Sequence, residues 1–124
     1  MSAPPLLPTN ALLVACLCAN WCGTCRDYRP LFDQLASTFP NAHFVWIDIE
    51  DEANLVDPIE VENFPTILIA APSQALFFGT VTPHIQTLQR LIGSHQSSSE
   101  RPLPANADLD GLIGRLWARV RGAH

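Results

Sequence analysis

The run from Ala11 to Cys18 (ALLVACLC) carries no charged or amide side chain, and Asn10 and Asn20 bound it. A short continuous apolar run with valine and leucine in it suits a β-strand buried on both faces, because a half-exposed strand would alternate with polar residues. The rest of the chain must then supply cover on both sides of that strand. With 124 residues, 48% of them hydrophobic and 15% charged, there is material for one domain around a single core. Six glycines and eleven prolines stay below a low-complexity composition, and the apolar fraction excludes disorder throughout.

After Trp21 the period changes. Tyr28, Leu31, Phe32, Leu35, Ala36 and Phe39 recur at spacings of three and four, which predicts a helix from Cys22 to Thr38, kinked at Pro30. Phe44 to Ile49 (FVWIDI) reads as a second strand, followed by a short helix at Ala53 to Val56. Thr66 to Ala70 (TILIA) and Ala75 to Phe78 (ALFF) read as a hairpin. Thr82, followed by Pro83, reads as the N-cap of a helix with Ile85, Leu88, Leu91 and Ile92 as its apolar stripe, ending before Gly93. Leu109, Leu112, Ile113, Leu116 and Val120 mark a last helix, with Asp108 and Asp110 at its start and Arg115, Arg119 and Arg121 toward its end, as the macrodipole favours. This order predicts an α/β fold with a mixed four-stranded sheet flanked by helices. The expected organisation is an N-terminal arm over residues 1–10, a domain over 11–93, a polar linker over 94–107 and a C-terminal helix over 108–121 packed on the domain.

All four cysteines, Cys16, Cys18, Cys22 and Cys25, fall within ten residues. A disulfide framework would spread them along the chain, so the cluster points to redox chemistry or metal ligation. Cys22, Gly23, Thr24 and Cys25 form a C-x-x-C where strand passes into helix, so Cys22 is expected at the first turn with amide groups directed at its sulfur, a position that favours thiolate. Cys25, one turn further in, is close enough to pair with it and less exposed, and Arg26 adds a positive charge. Zinc knuckles share this spacing, and C-x-C-x3-C-x2-C could offer four thiolates to one metal ion or cluster. Cys16 and Cys18 share one face of the first strand, where they read as small buried residues or as an auxiliary redox or metal pair. Two strand residues at that spacing stand about 6.6 Å apart, which disfavours a bond between them.

Trp21-Cys22-Gly23-Thr24-Cys25, Pro30 eight residues after Cys22, and Phe64-Pro65-Thr66 ahead of TILIA together resemble the thioredoxin family over residues 11 to 93. The resemblance implies a thioredoxin-like fold with its N-terminal strand and helix reduced and a C-terminal helix added. It implies a thiol–disulfide oxidoreductase in which Cys22 is the nucleophile, Cys25 the resolving thiol, and Pro65 a cis-proline. Trp21, Gly23, Thr24, Phe64, Pro65 and Thr66 would then form the substrate-binding surface. Cis geometry costs little before proline, and the bend would free neighbouring backbone groups for an extended substrate. The chain departs from the family where a buried Asp is usual six residues before the first cysteine, here Cys16, and it has no lysine to accompany one. Water, Cys16, Asp48 or Asp27 would have to accept the proton of Cys25. Thr24 stands where proline is usual, which the resemblance associates with a more oxidising pair.

The net charge of -5, from twelve acidic residues against seven arginines and no lysine, excludes a basic nucleic-acid footprint. The acidic stretch from Asp48 to Glu62 reads as a solvated face, or as selection for basic partners through Glu62 near Pro65. His43, His84, His95 and His124 show no spacing with the cysteines that implies a metal site. No apolar run reaches the roughly 20 residues that span a bilayer. Leu13-Val14-Ala15-Cys16 resembles a lipoprotein cleavage box but has no Lys or Arg before it. The expected protein is a cytoplasmic monomer without organic cofactor or metal, acting on protein disulfides or dithiols; the resemblance implies a thioredoxin reductase as electron source, and the missing Asp and Lys leave a different donor open. The alternatives are a redox-sensing or interaction module without turnover, and a cysteine-rich metal-binding module.

Overall fold

The computed structural model describes residues 12–19, 21–40, 42–57, 59, 61, 63–72, 74–96, 103–104 and 106–120. The expected arm over residues 1–10, half of the linker over 94–107, and Glu62 lie outside them. The elements run β1 (Leu12–Cys18), α1 (Gly23–Ala36), β2 (Ala42–Asp48), α2 (Ala53–Val56), β3 (Thr66–Ala70), β4 (Ala75–Thr80), α3 (Ile85–Gln96) and α4 (Ala107–Val120). The strands form one mixed sheet in the order β2-β1-β3-β4.

β1 lies inside the sheet, parallel to β2 with Cys16 opposite Trp46, and antiparallel to β3 with Cys16 opposite Ile67. Its alternate residues serve two separate cores, which is why the run has no polar face. Leu13, Ala15 and Leu17 join Ile47, Leu68 and Ala70 under α4, whose Leu109, Leu112, Ile113, Leu116 and Trp117 close that side. Leu12, Val14, Cys16 and Cys18 join Ile67 and Ile69 on the other side, under Tyr28, Phe32 and Leu35 of α1 and Leu88 and Ile92 of α3.

α1 buries Cys25, Tyr28, Phe32 and Leu35, the spacing of one helical face. Pro30 falls on its exposed side, and the helix runs through it. α3 differs from expectation at both ends. It begins at Ile85, so Thr82 and Pro83 precede it, and the Thr82 hydroxyl pairs with that of Thr87 at 3.1 Å. It continues through Gly93 to Gln96, since a glycine lowers helix propensity without ending a helix that retains its packing. α4 is fastened by more than its apolar stripe. Trp117 Nε1 donates to the Ala71 carbonyl at 3.1 Å, Arg115 Nε donates to the Leu55 carbonyl at 2.8 Å, and Arg119 pairs with Glu52. Among the described residues no helix is long and apolar enough to cross a membrane.

Candidate active site at the carboxyl ends of the central strands

Because β1 and β2 are parallel and β3 runs against them, the C-terminal ends of β1 and β2 meet the N-terminal end of β3 at one edge of the sheet. Three segments converge there: the turn from β1 into α1, the turn after β2, and the loop that enters β3. The carboxyl ends of strands are the usual site of chemistry in open α/β sheets.

Cys22 is the N-cap of α1, in extended conformation and with no side-chain cap hydrogen bond. Its amide donates to the Ala19 carbonyl at 3.0 Å and its carbonyl accepts from the Arg26 amide at 3.1 Å, which fixes the cysteine at the rim. The first turn of α1 contains no carboxylate to compete for its amide groups. Cys22 is partly exposed, whereas Cys16, Cys18 and Cys25 are at most 1% exposed.

Cys25 pairs with Cys18 in this structure, across a Cα–Cα distance of 5.8 Å, and leaves Cys22 and Cys16 as thiols. The sequence reading pairs Cys22 with Cys25 and leaves Cys18 between a small buried residue and an auxiliary redox or metal ligand, whereas the bond present here is the inner one, to Cys18. The cause is register: Cys18 ends β1 on the face that α1 covers, and Cys25 is the first residue of the buried stripe of α1. Cys16 and Cys18 do share a face, with their sulfurs 3.9 Å apart. Among the described residues no group of three or more His, Cys, Asp or Glu is placed to hold a metal ion.

Around Cys22, Trp21 is 61% exposed, and Gly23, Thr24 and Arg26 are exposed beside it. The Trp21 ring meets Phe64 edge-on at 5.5 Å, and its Nε1 donates to Glu50 Oε2 at 2.7 Å. One side chain thereby joins all three converging segments. The role of Glu50 has no signal in the sequence, because it stands 29 residues from Trp21 in a run that reads as a solvated face. The Phe64-Pro65 bond is cis. Pro65 is buried, and its carbonyl accepts from Val81 N at 3.1 Å. Thr66 is buried as well, with its hydroxyl donating to the Asn63 carbonyl at 2.7 Å, so its side chain faces inward.

The candidate proton acceptors are placed as follows. Asp48 Oδ1 accepts from the amides of Glu50 and Asp51 at 2.9 and 3.2 Å, which shapes the turn after β2. Asp27 is exposed on α1. Burial pushes the Cys16 thiol far up from its ordinary value of 9.0, and burial together with the nearby Cys16 raises the Tyr28 phenol, whose buried hydroxyl has no partner among the described residues. Cys16 is thus held neutral. Both groups stay protonated in the folded chain at pH values where the unfolded chain ionises them. Their contribution to stability is complete below their ordinary pKa values and is lost as pH rises beyond them. The stability of the protein carrying the Cys18–Cys25 disulfide is therefore expected to fall by about 1.4 kcal/mol per pH unit for each such group, from pH ~9 upward for Cys16 and from pH ~10 upward for Tyr28. Urea unfolding of wild type and Cys16→Ala between pH 7 and 10.5 checks this: the variant should lose the thiol part of the slope, and an unchanged slope would refute the assignment.

The Thioredoxin family model matches residues 6–91. The chain is 25% identical over 103 residues to the "Thioredoxin H-type" of Picea mariana, covering 82% of each chain. It is 29% identical over 98 residues to a "Putative thioredoxin H10" of Arabidopsis thaliana, covering 79% of this chain and 56% of that one. Among solved structures, Fasciola hepatica thioredoxin superposes with a TM-score of 0.64 at 23% identity, over 70% of this chain and 83% of that one. The thioredoxin NaTrxh of Nicotiana alata gives 0.63 at 24% identity, over 69% and 74%.

Proposed function

We propose that this chain, which belongs to the thioredoxin family, exchanges disulfides with protein substrates through Cys22 and Cys25. Disulfide oxidoreductase activity in general follows from the family; protein substrates and the division of roles between the cysteines are our reading. The observation that carries it is the gradient of exposure: Cys22 alone of the four cysteines reaches solvent, at the N-terminus of α1, with Cys25 one turn behind it in the core.

In this reading the Cys22 thiolate attacks one sulfur of a substrate disulfide and releases the other as a thiolate. Cys25, as a thiolate, then attacks Cys22 Sγ and releases the second substrate sulfur, so the substrate gains two electrons and the protein is oxidised. Exposed Trp21, Gly23 and Thr24 and the half-buried Phe64 provide the surface an extended segment would lie on, with Pro65 shaping its floor. The proton acceptor for Cys25 is water in this scheme, since Cys16 is held neutral and Asp48 Oδ1 serves backbone amides. The reading extends to a monomer in the cytoplasm without organic cofactor, reduced by a thioredoxin reductase.

The test uses the Cys25→Ser variant, which retains the nucleophile and loses the resolving thiol. Incubated with oxidised insulin, it should accumulate a mixed disulfide through Cys22 that dithiothreitol releases. Absence of any Cys22 adduct with folded variant would overturn the proposal.

A further inference from the structure

Cys25 has two cysteines near it, Cys22 and Cys18. Cys22 stands three residues earlier, one turn away at the rim, and packs against the margin of the cluster that contains Cys18 and Cys25. Cys18 stands beneath it at the end of β1, with a Cα–Cα distance of 5.8 Å inside the range a disulfide spans. The structure holds the inner bond and leaves Cys22 as a thiol.

We propose that Cys18 is a third redox-active cysteine, which takes Cys25 from Cys22 after substrate oxidation and so moves the disulfide from the rim into the core. The step conserves oxidation state. The Cys18 thiolate attacks Cys25 Sγ, the Cys18–Cys25 bond forms as the Cys22–Cys25 bond breaks, and the electron pair leaves on Cys22 Sγ, which takes up the proton that Cys18 lost. Two of the three sulfurs are oxidised before and after, so the only oxidant is the substrate disulfide that oxidised the outer pair.

Two consequences follow from the burial. The inner disulfide lies between residues that are 0% and 1% exposed, so dissolved thiols reach it poorly. Cys22 is left partly exposed with its resolving partner occupied, so a mixed disulfide formed there persists. The oxidised protein thereby keeps one reactive thiol: Cys22 Sγ attacks a small-molecule or protein disulfide, retains one half as a mixed disulfide and releases the other half as a thiol. This inference rests on the proposed function for the outer pair, but its own failure leaves a separate signature.

The test is a map of the oxidised full-length chain. Protein is oxidised with diamide, quenched in acid and alkylated with N-ethylmaleimide in denaturant. It is then cleaved with chymotrypsin after Trp21, because the first arginine is Arg26 and trypsin leaves all four cysteines in one peptide. The expected wild-type product links the Cys18 fragment to the fragment starting at Cys22 through Cys25, with Cys22 alkylated. In Cys18→Ser the bond should revert to Cys22–Cys25, with alkylation at Cys22 lost. Cys22→Ser, a change at the rim, should still form the Cys18–Cys25 bond, which keeps the proposal testable if Cys18→Ser does not fold. A wild type with Cys22–Cys25 joined and Cys18 alkylated would overturn this inference and leave the exchange reading standing. A wild type with no disulfide at Cys25 would overturn both. Before alkylation, incubation with glutathione disulfide should add one glutathione at Cys22 of the oxidised wild type and none to oxidised Cys18→Ser; equal addition to both would also overturn the inference.

Discussion

Replacing Cys22 by serine is expected to bring catalysed disulfide reduction down to the rate of the chemical reductant alone, with little change in stability. Access decides this outcome before chemistry does. A protein disulfide must approach the attacking sulfur in line, and Cys16, Cys18 and Cys25 are at most 1% exposed. None of them can replace Cys22 without opening the core. Serine retains the size and the N-cap character of the position, where a hydroxyl is a preferred cap, so helix α1 should not suffer. Its hydroxyl is not a thiol–disulfide nucleophile at neutral pH. Turbidimetric insulin reduction by dithiothreitol, with circular dichroism and a urea midpoint to confirm the fold, checks the expectation. Residual catalysis in the folded variant well above the dithiothreitol background would show that one of the buried cysteines is presented to substrate by a motion the structure does not contain. The same variant would then also lose its value for locating the attack.

Much of this arrangement is legible in the sequence, because local patterns carry it. The run before Cys18 is apolar on both faces since β1 has cores on both sides, and the stripe Cys25, Tyr28, Phe32, Leu35 announces the buried side of α1. The cis bond at Phe64-Pro65 agrees with what the family resemblance implies. What stayed hidden depends on juxtaposition. Whether Cys25 meets Cys22 or Cys18 turns on how the end of β1 sits under the start of α1, and residue spacing alone does not express that. The bond from Trp21 to Glu50 crosses between two turns that meet only once β1 and β2 lie parallel. In the sequence Asp48 reads as part of a charged stretch or as a proton acceptor for Cys25, yet two backbone amides of the following turn end on it. The misplaced ends of α3 have a different origin: Thr82-Pro83 and Gly93 are statistical punctuation, and the packing of Leu88 and Ile92 against the sheet decides where the helix lies.

Removing α4 should have the largest effect on stability, because α4 supplies most of the cover of one of the two cores, with Val56 of α2 beside it. Leu109, Leu112, Ile113, Leu116 and Trp117 are each no more than 7% exposed, and they cover Leu13, Ala15, Leu17, Ile47 and Leu68. Burying a large apolar side chain contributes about 1.5–3 kcal/mol, so five of them together are worth on the order of 10 kcal/mol, comparable to the whole stability of a typical domain of about 5–15 kcal/mol. A chain ending at Glu100 is accordingly expected to lose cooperative unfolding and to bind a hydrophobic dye, since the odd-numbered face of β1 would be open to water. The finer probe is Trp117→Ala, which keeps the helix and removes its largest buried side chain together with the hydrogen bond to the Ala71 carbonyl. A cost of about 3–5 kcal/mol is expected for it, read as a lower urea midpoint at unchanged slope. Disulfide exchange in the fraction that remains folded should change little, because Trp117 lies on the opposite side of the sheet from Cys18 and Cys25. A truncated chain with the midpoint of the wild type would mean that α4 is an appendage and that the odd-numbered face of β1 finds its cover elsewhere.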